Sequence, residues 1–126
     1  MVIKDLLKDL KDLKILIVED GADIRDIMST TLGKIFLDTR TAVDGLDGLE
    51  KFKQEQPDII ISDIRMPNMS GNDMIDAIKD IDPIIPIIVV SGHGRLIAKS
   101  NRADVFLNKP IKFDKLVEAI YTLTRK

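Results

Sequence analysis

The chain has 126 residues, 44% hydrophobic and 32% charged, and 19 basic against 21 acidic side chains give a formal net charge of -2. One domain with its own core fits that length and composition; disorder does not, and a nonspecific nucleic-acid binder would need a basic excess. The lack of cysteine and the single histidine, His93, remove disulfide scaffolds, thiolate chemistry and multi-histidine zinc sites.

Residues 1–13 place Ile3, Leu6, Leu7, Leu10 and Leu13 on one helical face, with Lys and Asp on the other. The segment reads as a short helix docked on its own domain, or as a dimerisation or partner helix. Its mixed charge is unlike a signal peptide or an anionic-membrane anchor. The longest apolar run, Ile84 to Val90, is interrupted by Pro86 and falls short of a membrane span. A cytoplasmic protein is the expectation.

Ile15 to Val18 is the first strand, a short β-branched run that suits burial on both faces. Ile24, Ile27, Met28, Thr31 and Leu32 recur at helical spacing, with Gly33 as a stop. Phe36 to Ala42 alternates weakly and suits an edge strand. Leu46, Leu49, Glu50 and Phe52 make the next helix, stopped by Pro57. Ile59 to Ile61 is a second buried strand. Met74, Ile75, Ile78 and Ile81 make a helix preceded by Ser70-Gly71-Asn72 and ended by Asp82-Pro83. Ile87 to Val90 is a third buried run. A short helix spans about 94–102, Val105 to Leu107 is the last strand, and a helix over about 113–124 closes the chain. The alternation predicts an α/β fold with parallel strands, right-handed crossovers and helices on both faces.

In open sheets of this kind the site lies beyond the carboxyl ends of the strands. Those positions read Glu19-Asp20, Asp63, Ser91 and Lys109-Pro110. Taken singly, each is most simply a turn, cap or loop residue. Together they form a pattern. Three converging carboxylates repel one another and need a counter-charge. A hard divalent cation, Mg2+ by preference, suits carboxylate oxygens and water. With the ammonium of Lys109 and the hydroxyl of Ser91, such a cluster suits a phosphoryl group. A carboxylate can itself be the nucleophile, and Asp63, after the central buried strand, is the best placed.

The segments ILIVED, DIIISDIRMPNMSG, PIIVVSG and ADVFLNKP occur in this order. In them the chain resembles the receiver domain of bacterial two-component response regulators, chemotaxis-regulator-like single-domain members included. The resemblance covers residues 14–126 and leaves 1–13 as an N-terminal extension. It implies a flavodoxin-like three-layer sandwich with five parallel strands in the order 2-1-3-4-5. It implies Asp63 as phosphoacceptor, with Lys109 and Ser91 assisting. Mg2+ would be held by Asp20, Asp63 and the carbonyl of Arg65, with Glu19 acting through water. Ser91 and Phe106 would be the switch pair, Pro110 would follow a cis bond, and Arg65 and His93 would tune dephosphorylation. The implied partners are a sensor histidine kinase or phosphotransfer protein and a downstream effector protein. Neither direct nucleic-acid binding nor membrane binding is implied, and a homodimer through the extension is open. The domain would assist its own phosphoryl transfer and dephosphorylation without being an enzyme.

Two features depart from the family pattern. The stretch from Ser91 to Lys109 is short by about four residues, roughly one helical turn, so the helix over 94–102 is expected to be curtailed or irregular. Arg102 stands where a glycine commonly precedes the Ala-Asp pair, which predicts a different loop shape. Other functions compete. A haloacid-dehalogenase-like phosphotransferase needs a second acid two residues after its nucleophile, and here that residue is Arg65. A flavodoxin-like cofactor binder needs a first loop that cradles phosphate, and Glu19-Asp20-Gly21 repels it. A receiver-like adaptor that works without phosphorylation stays open as the alternative.

Overall fold

The computed structural model describes residues 8–92 and 102–125. Five strands and four helices alternate there: β1 (Lys14–Val18), α1 (Ala22–Gly33), β2 (Asp38–Ala42), α2 (Gly45–Gln54), β3 (Ile59–Ser62), α3 (Gly71–Ile81), β4 (Ile87–Ser91), β5 (Val105–Asn108) and α4 (Phe113–Thr124). The sheet is parallel throughout, in the order β2-β1-β3-β4-β5. The expected strand order and α/β class hold.

The strands that read as unbroken apolar runs are the central ones, and both their faces are covered. Ile15, Ile17, Ile59, Ile61, Ile88 and Val90 pack with Met28 and Leu32 of α1 and Leu116, Val117 and Ile120 of α4. The alternate positions, Leu16, Val18, Ile60, Ile87 and Val89, pack with Leu49 and Phe52 of α2 and Met74, Ile75 and Ile78 of α3. The two-residue period of a strand thus sends successive side chains into two separate cores. β2, with the sequence DTRTA, is only half-buried and lies at the edge.

Helix boundaries follow local chemistry. Asp44 caps α2 by accepting from the Asp47 N–H, and Ser70 caps α3 by accepting from the Asp73 N–H. Gly33 is the last residue of α1 and Lys34 closes it. Not every residue at helical spacing is core, however. Ile27 is 58% exposed, and Ile24, Leu46 and Ile81 are also exposed, so α1 buries only Met28 and Leu32.

The extension is helical over residues 8–10 and then turns, with the Leu13 N–H donating to the Leu10 carbonyl. Leu10 is buried in the core shared by α1 and α4, while Leu13 packs at its margin. The Leu37 N–H donates to the Lys11 carbonyl at 2.8 Å and ties the turn to the end of α1. Ile3, Leu6, Leu7, His93 and nearly all of the short helix expected at 94–102 lie outside the described residues.

Residues 102–104 are clipped to α3. Arg102 donates to the Asp76 carbonyl at 2.6 Å and to Asp80 Oδ1 at 2.8 Å. The buried Lys79 ammonium donates to the Ile85 carbonyl at 2.7 Å and to Asp104 Oδ2 at 3.0 Å, and that oxygen also accepts from the Ile87 N–H. Among the described residues Asn68 is the non-glycine residue with a positive φ.

Candidate functional site

Strand register brings the acidic residues together. Val18 lies beside Ser62 in the β1–β3 ladder, so Glu19 and Asp63 leave adjacent strands one step later. The ladder continues past the strand ends: the Asp63 N–H donates to the Val18 carbonyl, and the Glu19 N–H to the Ala42 carbonyl, both at 3.1 Å. Ser91 lies beside Asn108 in the β4–β5 ladder, and the Lys109 N–H donates to the Ser91 carbonyl at 3.1 Å.

Glu19, Asp20 and Asp63 each present a carboxylate oxygen within 4.8 Å of the others. Lys109 Nζ reaches Asp63 Oδ2 at 2.7 Å and Glu19 Oε1 at 3.2 Å. One ammonium therefore faces three carboxylates, and the cluster keeps an excess of negative charge. Glu19 is buried, Asp63 and Lys109 are half-buried, and Asp20 is exposed, so the cluster opens to solvent on the Asp20 side. Burial pushes the Glu19 carboxyl above its usual range, against the Gly21 N–H and the Lys109 charge, which pull it down. Burial lowers the Lys109 ammonium, but the hydrogen bond and charge of Asp63, joined by Glu19, outweigh it and raise its pKa. The donors are all hard oxygens with residual negative charge and an open side, which fits a small divalent cation such as Mg2+.

The loop after β3 is held closely. The Ile64 N–H donates to Asp63 Oδ1 at 2.6 Å, and the Gly71 N–H to the Ile64 carbonyl at 2.7 Å. A Cβ on Gly71 would collide with the Asp63 carbonyl, so only glycine lets α3 begin this close to Asp63. At the far side of the loop Asn68, with φ of 67°, donates to Asp44 Oδ2 at 2.6 Å. The loop is thereby fastened to the cap of α2.

The structure thus gathers Glu19, Asp20, Asp63 and Lys109. Ser91 is buried one strand away and joined to Lys109 through the backbone. Arg65 is exposed on the loop, and the Lys109–Pro110 peptide is cis. Phe106 is partly buried against the core of α2 and α3. Two contributors were not singled out from the sequence. One is Asn68, whose residue type tolerates the left-handed region and offered a signal. The other is Arg25, which donates from Nη1 to the carbonyls of Glu19 and Asp20 at 3.0 and 3.3 Å. Its signal was a basic residue one helical turn beyond the acidic pair.

Comparisons with known proteins identify the family and agree with the fold. The family model "Response regulator receiver domain" matches residues 15–121. The response regulator protein PilR of Pseudomonas aeruginosa is 34% identical in an alignment of length 117 that covers 89% of this chain and 26% of PilR. The probable transcriptional regulator ycf27 of Guillardia theta is 36% identical over 90% of this chain and 46% of its own length. The chain thus spans less than half the length of these curated relatives. Among solved structures, the N-terminal domain of an uncharacterized protein from Wolinella succinogenes superposes with a TM-score of 0.81 at 37% identity, covering 88% of this chain and 93% of that one. The receiver domain of NtrX from Brucella abortus gives 0.80 at 32% identity, covering 88% and 98%. The chemotaxis protein CheY4 of Vibrio cholerae gives 0.81 at 28% identity, covering 89% and 98%. With a parallel five-stranded sheet and an acidic cluster at its carboxyl end, this chain belongs to the response regulator receiver domains of two-component systems.

Proposed function

We propose that the chain is a phosphoryl-accepting switch in which Asp63 takes the group from a phosphohistidine on a sensor histidine kinase or phosphotransfer protein. The observation that carries this reading is the contact of Lys109 Nζ with Asp63 Oδ2 at 2.7 Å, inside a cluster that keeps negative charge to spare. An Asp63 carboxylate oxygen attacks phosphorus, and the bond from phosphorus to the donor imidazole nitrogen breaks. The electron pair stays on that nitrogen, which takes a proton from water. Asp63 becomes a mixed anhydride, and its charge rises from one to nearly two.

Asp20, Asp63 and the Arg65 carbonyl, with Glu19 through water, are the residues that would hold Mg2+. The ion would offset the phosphoryl oxygens' charge. Lys109 supplies a second counter-charge, and Glu19 keeps that ammonium oriented. Ser91 offers its hydroxyl to the phosphorylated state, and half-buried Phe106 responds in β5 as the second member of the switch pair. Exposed Arg65 tunes hydrolysis of the group, as His93, which lies outside the described residues, is expected to do. A downstream protein reads the face made by the helix expected over about 94–102, nearly all of it outside the described residues, together with β5 and α4. Exposed Ile24 and Ile27 of α1, with Pro110 and Ile111, line an apolar groove beside Lys109 where a phosphodonor protein can seat.

The test is intact mass after incubation with acetyl phosphate and Mg2+. One added phosphoryl group is expected, absent in Asp63→Asn and absent without Mg2+. If the folded chain gains no adduct from acetyl phosphate or from a histidine kinase, the phosphorylation-independent adaptor reading replaces this one.

A further inference from the structure

Arg25 lies in α1, and its guanidinium bonds to backbone at the acidic turn. Nη1 donates to two successive carbonyls, those of Glu19 at 3.0 Å and Asp20 at 3.3 Å. Its own backbone N–H donates to the Gly21 carbonyl at 2.8 Å. Three consecutive carbonyls, from Glu19 to Gly21, are therefore held by one residue. On the other side of the turn the Gly21 N–H donates to Glu19 Oε2 at 3.1 Å. This backbone fixes where the Glu19 and Asp20 side chains start, and those two carboxylates share a small volume with Asp63.

We propose that Arg25 is a positioning residue that preorganises the Glu19-Asp20 turn for a divalent cation. The inference rests on the Mg2+-dependent reading above. Like charges drive the three carboxylates apart, and a turn free to relax would let them separate. A metal would then have to draw them together again, at a cost to its affinity. Arg25 prevents that relaxation by holding the backbone, and it does so without occupying a carboxylate oxygen.

The competing role has the opposite sign. A guanidinium near a cation site repels the cation, so if charge were the whole of its effect, removing it would tighten Mg2+ binding. Calorimetric Mg2+ titration of the wild type, Arg25→Met and Arg25→Lys separates the two. Amide exchange at Asp20 and Gly21 in the metal-free proteins is followed alongside. Preorganisation predicts Mg2+ binding about tenfold weaker in Arg25→Met, the lower end of what outer-shell partners of metal ligands cost. It also predicts faster exchange at both amides. Arg25→Lys keeps the charge but offers a single-point donor, so it too binds Mg2+ more weakly than the wild type, and it decides the matter if Arg25→Met does not fold. Unchanged or tighter Mg2+ binding in a folded variant overturns the inference while the reading of the site stands. A wild type that binds no Mg2+ overturns that reading, and with it the role of Arg25 toward a metal.

Discussion

The two ends of the sheet are built on different charge plans. At the amino end, the buried Lys79 ammonium has one carboxylate and one carbonyl, and the Asp104 oxygen it meets also accepts the Ile87 N–H. Leu10 plugs the same end with a fully apolar side chain. At the carboxyl end one ammonium serves Glu19 and Asp63, with Asp20 close by. The first arrangement is complete as it stands and holds α3, β4 and β5 together. The second is left with negative charge over, which repels itself unless a cation offsets it. Stability is concentrated where charge is matched, and binding capacity where it is not.

That contrast can be broken at either end. Leu10→Ala removes a buried side chain from the core of α1 and α4, and chemical denaturation should show a loss of about 3 kcal/mol. A smaller loss would mean that residues 8–13 merely rest on the domain. Asp104→Ala strands the Lys79 ammonium; because Asp104 is partly exposed, water softens the penalty to about 2 kcal/mol, against ~3 to 5 for a fully buried pair. Lys79→Met should cost less than Asp104→Ala, since it leaves no buried charge behind. The reverse order would show that the pair does not close the amino end as described. At the carboxyl end Mg2+ should raise stability, by about 1.4 kcal/mol at ten times its dissociation constant. Asp63→Asn should lose most of that gain. Equal stabilisation of both proteins in a thermal melt would place the ion elsewhere.

The smallest effect expected is a pH dependence at the cap of α2. The Asp47 N–H and the Asn68 amide both donate to Asp44 and hold its carboxyl below the ordinary value of 3.8. A folded-state pKa below the unfolded one contributes stability that is present above about pH 4. That contribution is lost as the pH falls through the folded value. Asp44→Asn should therefore flatten the acid limb of the stability profile and leave the neutral region's slope unchanged. An acid limb identical to the wild type's would assign it to other carboxylates.

Much of this was legible in the sequence because the central strands are buried on both faces. That makes Ile15 to Val18, Ile59 to Ile61 and Ile87 to Val90 continuous apolar runs, and the parallel fold follows from them. Once the strands are placed, Glu19, Asp20, Asp63 and Lys109 fall at one end by register alone. Periodicity was a poorer guide to burial. Ile24 and Ile27 keep helical spacing yet face solvent, because a narrow stripe of α1 suffices to cover its side of the sheet. The extension read as one amphipathic face through Leu13, but it turns after Leu10, where the Leu37 N–H captures the Lys11 carbonyl. Contacts such as Asn68 with Asp44, Arg102 with Asp76 and Asp80, and Arg25 with the acidic turn join residues distant in sequence or reach backbone atoms. Residue type and spacing marked Asn68 and Arg25 at most as candidates, and the partners they reach follow only from the fold.

The clip at residues 102–104 has a mechanical consequence for β5. The strand is four residues long, about 13 Å. Its entry is pinned to α3 and β4, while the residue after it carries the ammonium that meets Asp63. Between those two points the strand is laddered to β4 from Val105 to Asn108, so entry and exit are joined through one hydrogen-bonded span. A displacement of Lys109 would therefore pass into β4 through that ladder as well as along β5, whose side chains are the least buried of the inner and far-edge strands. Phe106 sits near the middle of that span, half-buried against the core of α2 and α3.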